Sequence, residues 1–405
     1  MISVKEAEEL ILSHSSPSDY TLLDIQNIQG EVLRQPIVAD RDYPPFNRVA
    51  MDGIAISYSS WKEGRLKYHI ENCQKAGEPQ KMLKNADSCI EVMTGATLPK
   101  ETNTVIRYED VNIADGSASI DCSLDLKKMQ NVHQQGTDCN RGDVIDNGCR
   151  ILNAPYSAIL AAVGSSKVQV SLRPVISVIS TGDELVGVSD TPSDFQIRQS
   201  NSDALMSSLR ANGFNNIRNY HLHDDEDEIL SSLGGILDSS DVIIISGGVS
   251  KGKFDFIPGA LVNLGVQELF HKVKQRPGKP LWFGIAKENK MVFGLPGNPN
   301  SSLICLHRYV LPSLWKSLGI NLAELRPYAV LEEDYKFEKD LTCFLPVKVT
   351  YSNDGTTTAK PITLSGSGDF TSLARSTGFI ELDENASHFE KGQAFPLYLW
   401  RGQPI

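Results

Sequence analysis

The sequence predicts a multidomain α/β plus β chain, with a three-layer α/β domain at its centre and β-rich segments on either side. Two observations predict it. Between about residues 173 and 318, apolar runs of strand length alternate with amphipathic stretches of helix length, as in a parallel sheet covered on both faces. Outside that window the apolar runs are short and broken by Gly, Pro and Asn, such as Cys89-Ile-Glu-Val-Met and Thr104-Val-Ile-Arg-Tyr.

The elements follow in order. Val4, Ala7, Leu10 and Ile11 fall on one face of an N-terminal amphipathic helix. Residues 20 to 165 read as an irregular β-rich region. A strand is expected from Pro174, then a helix from Ser202 to Asn212 stopped by Gly213, and a second strand from Ile217. Acidic Asp224 to Glu228 open the next helix, where negative charge suits the positive end of the helix dipole. Residues 242–246 are too short for a buried helix and read as a buried strand, and Met291-Val-Phe as another before the helix start Asn298-Pro299. After Leu325-Arg-Pro, short strands run through Trp400 and predict a small β domain.

Composition narrows the function classes. The 405 residues suffice for two to four domains, and 40% hydrophobic content for several cores. A net charge of −11 argues against nucleic acid as the main partner. Seven cysteines, scattered and without a C-x-x-C pair, read as reduced thiols of a cytoplasmic protein. The N-terminus lacks a basic stretch followed by an apolar core, and no 18-residue apolar span occurs, so neither secretion nor a membrane location is expected.

The chemistry gathers in loops that follow the predicted strands. The run 242–246 opens into Gly247-Gly248, where glycines let backbone N–H groups approach an anion, and Asp255 follows where a carboxylate can hold a cation against a phosphate. Gly247 to Lys253 has the spacing G-x-x-x-x-G-K, but Phe254 replaces the magnesium-binding hydroxyl, which rejects an ordinary ATPase loop. Three further loops resemble it in composition: Ser180-Thr-Gly-Asp-Glu-Leu, His223-Asp-Asp, and Gly294-Leu-Pro-Gly-Asn-Pro. Each alone reads more readily as a turn or helix cap. Together on one sheet edge, where open parallel sheets bind ligands, they predict that Glu184, Asp224 and Asp255 converge as oxygen ligands for Mg2+. Residues 272–279 carry four cations, among them Lys272, Arg276 and Lys279; a solvated charge run is the usual reading, and the apolar flanks in an acidic chain keep a multiply anionic ligand open beside it.

Val-Ala-Met-Asp-Gly at 49–53, Met-Thr-Gly-Ala at 93–96, Ser-Thr-Gly-Asp-Glu-Leu at 180–185, Ser-Gly-Gly-Val-Ser at 246–250, Pro-Gly-Lys-Pro at 277–280 and Gly-Leu-Pro-Gly-Asn-Pro at 294–299 resemble the molybdopterin molybdenumtransferases, relatives of the gephyrin E domain. With Gly366-Ser-Gly they span nearly the whole chain in family order. The resemblance implies an N-terminal helix (1–19) on the α/β domain (167–320), a linking domain (20–45 and 134–166), a β-rich insertion (46–133) and a C-terminal β barrel (321–405). It implies a homodimer with a cleft built between subunits, in which molybdate is inserted into the dithiolene of adenylylated molybdopterin with metal-dependent release of AMP. Transient contact with the molybdopterin adenylyltransferase, and with molybdoenzymes or their chaperones, is also implied.

The implied roles fall on matching residues only. Glu184, Asp224 and Asp255 hold the metal, and Lys272, Arg276 and Lys279 offset molybdate and phosphoryl charge. Gly182, Asp183, Ser246, Gly247, Gly248, Ser250, Pro296, Gly297, Asn298, Pro299 and Ser367 bind substrate. Asp52, Thr94 and Asp138 complete the set. Several positions depart from the family pattern: Arg276 for a frequent lysine, Phe256-Ile257 for Tyr-Thr, Gln199 for an aspartate, and Pro346 for an arginine near the molybdate position. Two alternatives remain at this point, an adenylyltransferase acting one step earlier and a gephyrin-like scaffold without catalysis.

Overall fold

The structure, a computed structural model, describes residues 1–249, 256–322, 326–363, 369 and 371–400. Asp255, Ser250 and Ser367 lie outside the described residues. The chain forms two compact units, one of Met1–Arg34, Cys149–Asn153 and Val168–Ile405, the other of Gln35–Gly148 and Ala154–Lys167.

The second unit is built on a six-stranded sheet in the order Thr104–Arg107, Gly53–Ile56, Ser88–Val92, Lys67–Gln74, Ser117–Ile120, Val111–Ala114. Period-2 alternation gives it two apolar faces. Ala55, Ile90 and Val105 enter one core, while Ile54, Cys89 and Ile106 enter the other. Gly53 sits where a Cβ would lie 1.9 Å from the Ile106 carbonyl oxygen, so the strand pair closes only on glycine. One expectation needs correcting here. Ala154–Ala162 is a helix inside the stretch read as β-rich; its run of alanine, leucine and isoleucine is short and apolar, and such a run does not by its period separate helix from strand.

The first unit contains the α/β domain. Its strands are β1 (Ile176–Thr181), β2 (Ile217–Leu222), β3 (Val242–Ser246), β4 (Gln267–His271), β5 (Trp282–Ile285) and β6 (Met291–Leu295). Its helices are α1 (Val4–Ser13), α2 (Asn201–Ala211), α3 (Glu226–Asp238), α4 (Ile257–Asn263), α5 (Pro299–Cys305) and α6 (Leu311–Ser317). The sheet order is β2-β1-β3-β6-β5-β4; the first four strands are parallel, β5 pairs antiparallel with β6, and β4 pairs antiparallel with β5. Alternate residues of each strand feed opposite layers. Ile176, Val178, Val242 and Ile244 pack with Val4, Ala7, Leu205 and Leu314, whereas Ile179, Ile243 and Ile245 pack with Ile229, Leu233 and Leu261. That is the expected three-layer arrangement, with α1 in the first layer.

The helix starts follow local chemistry. Ser3 and Glu6 form a reciprocal capping box at α1, Asp225 caps α3 by accepting from Glu228 N, and Asn298 caps α5 ahead of Pro299. Gly213 follows α2 at φ +83°.

The C-terminal strands close on themselves: Thr342–Tyr351, Thr357–Pro361, Tyr328–Leu331, Ala394–Leu399 and Gly378–Leu382, which pairs again with Thr342–Tyr351. A five-stranded β-barrel results, in which closure removes the unpaired edges of an open sheet. Arg308 ties it to the α/β domain. Its buried guanidinium donates to Glu381 of the barrel at 2.7 and 3.3 Å and to Glu8 of α1 at 2.8 Å.

Candidate functional site

Strand register brings four loops to one edge. Thr181 of β1 pairs with Leu222 of β2, Ser180 with Ser246 of β3, and Ser246 with Leu295 of β6. The loops after these strands therefore leave the same carboxyl edge side by side. Gly247 and Gly248 adopt φ +97° and +62°, and a Cβ on them would lie 2.9 Å from the Thr181 carbonyl oxygen and 2.7 Å from the Thr181 hydroxyl. Only glycine fits both the dihedral and the space. Gly297 packs on Gly247, with its Cβ position 3.8 Å from the Gly247 Cα.

Asn201, the first residue of α2, joins these loops: its Nδ2 donates to Ser246 Oγ and to the Gly297 carbonyl, both at 2.8 Å. The result is a cavity of about 100 Å³ lined by residues that include Thr181, Glu184, Gln199, Asn201, Ser202, Gly247 and Gly297. Of the other predicted substrate residues, Ser246 and Pro299 also line it. The Pro296 carbonyl accepts from Ser302 Oγ, and the Asn298 carboxamide oxygen accepts from Asn300 N and Ser301 N as the cap of α5.

The acidic residues stand on neighbouring strand ends. Asp183 Oδ1 lies 3.1 Å from His223 Nδ1 and accepts from Asp224 N at 3.3 Å, which links the first two loops. Glu184 folds its carboxylate over Gly182, where a Cβ would lie 2.5 Å from Oε2. Carboxylate oxygens on one sheet edge suit a hard cation such as Mg2+ in donor chemistry. Among the described residues, however, no three His, Cys, Asp or Glu side chains meet in a metal-binding group. The expected third ligand, Asp255, lies outside them.

The cationic run is ordered by what lies between its charges. Val273, Gln275 and Gly278 are buried, and Gln275 Oε1 accepts from the buried Tyr309 hydroxyl. Gln275–Arg276 then adds to barrel strand Thr342–Tyr351, with Arg276 opposite Cys343. Arg276 is exposed in a cavity of about 660 Å³ whose lining includes Lys336, Lys339, Glu333, Glu338, Pro346 and Asn300. Both amide atoms of Asn300 are buried and, among the described residues, without a partner. Among the described residues, Lys272, Arg276 and Lys279 form no ion pair within 4.0 Å. Burial pushes the Cys343 thiol in the cavity wall up to about 12, which keeps it protonated.

In the second unit, Thr94 donates to Asp52 Oδ1 twice, from its N–H at 2.6 Å and from its hydroxyl at 2.7 Å. The Thr94 backbone bond, then its hydroxyl bond, holds the Asp52 carboxyl below its ordinary value of 3.8. Asp138 Oδ1 lies 3.1 Å from His133 Nε2, and His133 Nδ1 lies 3.1 Å from Arg48 Nη2. The Asp52–Thr94 pair joins two motifs that are 42 positions apart in the chain.

Comparison with known proteins now bears on the whole chain. Residues 2–164 match the MoeA N-terminal region (domain I and II), 177–316 a probable molybdopterin binding domain of the MoCF_biosynth family, and 328–400 the MoeA C-terminal region (domain IV). A molybdopterin molybdenumtransferase of Synechocystis sp. is 42% identical over 401 residues, covering 99% of this chain and 100% of that one. The chain belongs to the molybdopterin molybdenumtransferase family. A Staphylococcus epidermidis member is 29% identical over 98% of this chain and 95% of its own. The crystal structure of the molybdopterin biosynthesis moeA protein from Pyrococcus horikoshii superposes with a TM-score of 0.84 at 26% identity, covering 98% of this chain and 100% of that one.

Membership corrects one alternative. An adenylyltransferase acting one step earlier is not favoured, because the end-to-end relatives carry the name molybdopterin molybdenumtransferase. Among the family departures, Ile257 is 1% exposed and packs into the α3/α4 core, so a residue at 257 points inward. Sequence reasoning missed Thr181, Asn201 and Ser202 as cavity residues. The Ser-Asn pair before a helix reads as a cap, and only the approach of the glycine loops makes it part of a site. Lys336 and Lys339 were missed too, since nothing local connects them with Arg276.

Proposed function

We propose that this protein is a transferase of molybdenum cofactor biosynthesis that inserts molybdenum into molybdopterin. The observation that carries this reading is the convergence of four loops on one sheet edge, in a chain whose family match runs end to end. The substrates are molybdate and adenylylated molybdopterin, and AMP is released. The Gly247-Gly248 and Pro296-Gly297-Asn298 loops cradle the phosphate or nucleotide portion. Lys272, Arg276 and Lys279 offset the charge of molybdate and phosphoryl oxygens. Among the described residues they form no ion pair with a carboxylate, which supports that role.

Glu184 and Asp224, with Asp255, would hold Mg2+, which when bound neutralises charge on the phosphoanhydride as it breaks. The protein works in the cytoplasm as a homodimer, with Asp52, Thr94 and Asp138 contributing to the cleft. The test supplies purified protein with adenylylated molybdopterin, magnesium and molybdate and follows AMP. Release should require molybdate. Equal release with and without it would leave a phosphohydrolase and sink the assignment.

A further inference from the structure

Gln275 and Arg276 are neighbours on one strand and face opposite ways. Alternation along the strand puts Arg276 in the wall of the cavity of about 660 Å³ and buries Gln275 completely. A buried carboxamide loses hydration at both its nitrogen and its oxygen, and the loss is offset only where each finds a partner. Here each does. Gln275 Nε2 donates to the Gly278 carbonyl at 3.0 Å and meets Cys305 Sγ at 3.5 Å, while Oε1 accepts from the Tyr309 hydroxyl.

The amide is fixed from both sides. The Gly278 carbonyl can only accept, so the atom facing it is the nitrogen. Tyr309 is 2% exposed, and burial pushes its phenol well above the ordinary tyrosine value, so it stays a donor. Tyr309 is itself anchored. It belongs to a π-helical turn, Leu306–Val310, between α5 and α6, and the preceding Arg308 holds Glu381 and Glu8. On the other side the Pro277-Gly278 turn packs so closely on the amide that a Cβ at Gly278 would stand 2.6 Å from Nε2. Arg276 therefore lies between two held points: Lys274, whose carbonyl accepts from Thr342 N at 3.0 Å, and Gly278, bound by the amide.

Stability alone does not call for this pair. A leucine facing a phenylalanine would fill much of the same space, and the Gly278 carbonyl would keep its bond from Leu281 N at 3.2 Å. What the polar pair adds is direction, because a satisfied buried network selects one arrangement of the backbone that carries it. Direction matters to Arg276, whose planar fork binds an oxyanion well only when it is correctly oriented. We propose that Gln275 and Tyr309 are positioning residues for Arg276, holding the 274–278 backbone so that the guanidinium meets an oxyanion in the cavity. The inference rests on the proposed function for the identity of that anion, molybdate.

Tyr309→Phe keeps the ring and removes one hydroxyl. Molybdate binding to the full-length protein is measured by isothermal titration calorimetry, and KM and kcat by AMP release. Tyr309→Phe should weaken molybdate binding and raise its KM by roughly three- to tenfold, the scale of one hydrogen bond, with kcat regained at saturating molybdate. In an Arg276→Ala background the same substitution should change the affinity by less than about twofold, because a residue that acts through Arg276 has nothing left to orient. A second variant guards against a folding defect. Gln275→Leu combined with Tyr309→Phe replaces both partners by apolar groups, so its melting temperature should return close to wild type while KM stays raised. The proposal is overturned if Tyr309→Phe binds molybdate as wild type does, if it weakens binding equally with and without Arg276, or if KM recovers together with melting temperature in the double variant. Weakened binding in Arg276→Ala with none of these effects at Tyr309 overturns the positioning role and leaves the proposed function standing. Unchanged binding in Arg276→Ala removes the anion-binding role of Arg276 and the proposal with it.

Discussion

Replacing Arg308 with methionine should destabilise the protein by about 3–5 kcal/mol, the cost of breaking a buried ion pair from one side. The Arg308 side chain is 3% exposed, and those of Glu381 and Glu8 are 19% and 16% exposed, so solvent screens the network little. Methionine preserves most of the apolar stem and its packing near Tyr309 and Tyr398, which removes a large cavity term. What is lost is three charge-assisted hydrogen bonds, two of them to Glu381. Glu8 keeps Arg326 as a partner, and among the described residues Glu381 keeps only the Tyr398 hydroxyl, at 3.0 Å. Most of the penalty therefore sits on Glu381. Adding Glu381→Gln to Arg308→Met should restore about 1–2 kcal/mol, although Glu381→Gln alone destabilises. Urea unfolding followed by tryptophan fluorescence measures all three variants. A loss below about 1 kcal/mol for Arg308→Met, or strictly additive effects in the double variant, would refute the view that this pair holds the barrel to the α/β domain.

Other outcomes follow from the same geometry. Arg276→Ala should raise the KM for molybdate by roughly 10- to 100-fold, the value of a charged hydrogen bond, and an unchanged KM in the AMP-release assay would remove Arg276 from anion binding. Burial lowers the His307 imidazole from 6.5 to about 4, so the fold favours its neutral form. Stability is then complete above pH 6.5 and declines as pH falls toward 4, by up to about 1.4 kcal/mol per pH unit, and His307→Gln should flatten that slope in melting temperatures taken across this range. Thr94→Val keeps the backbone donor to Asp52 but removes the hydroxyl, so the Asp52 titration should move upward, read by carboxyl carbon-13 NMR. Asp52→Asn and Asp224→Asn should each be inactive as homodimers; a tagged heterodimer of the two should recover up to half of wild-type activity if the cleft is shared between subunits. A heterodimer without activity would refute sharing.

Much of the α/β domain was legible because its signals are local. The run 242–246 has no polar residue before Ser246, and such a run needs cover on both faces, which the structure supplies from two helical layers. Asp225, Asn298 and Gly213 announce helix ends by side-chain capping and backbone freedom, chemistry confined to a few residues. The four loops could be assigned to one edge for the same reason, since parallel strands deliver their carboxyl ends together. The helix Ala154–Ala162 escaped because a nine-residue apolar stretch carries no period that excludes a strand.

The sequence by itself determined which residue types were present at the site and in what order: carboxylates after β1 and β2, glycines after β3, and cations between β4 and β5. Tertiary structure decided which of them meet. Closure of the barrel brings Lys336, Lys339 and Pro346 to Arg276 through pairing of Gln275–Arg276 with a strand 67 residues further on. Asn201 joins two loops only because Ser246 and the Gly297 carbonyl, 45 and 96 positions away, both accept from its amide nitrogen. Helix and strand patterns report interactions within a few residues. Pairing across the fold depends on the whole packed core, so hydrogen-bond orientation and unsatisfied polar atoms become readable only when the chain is folded.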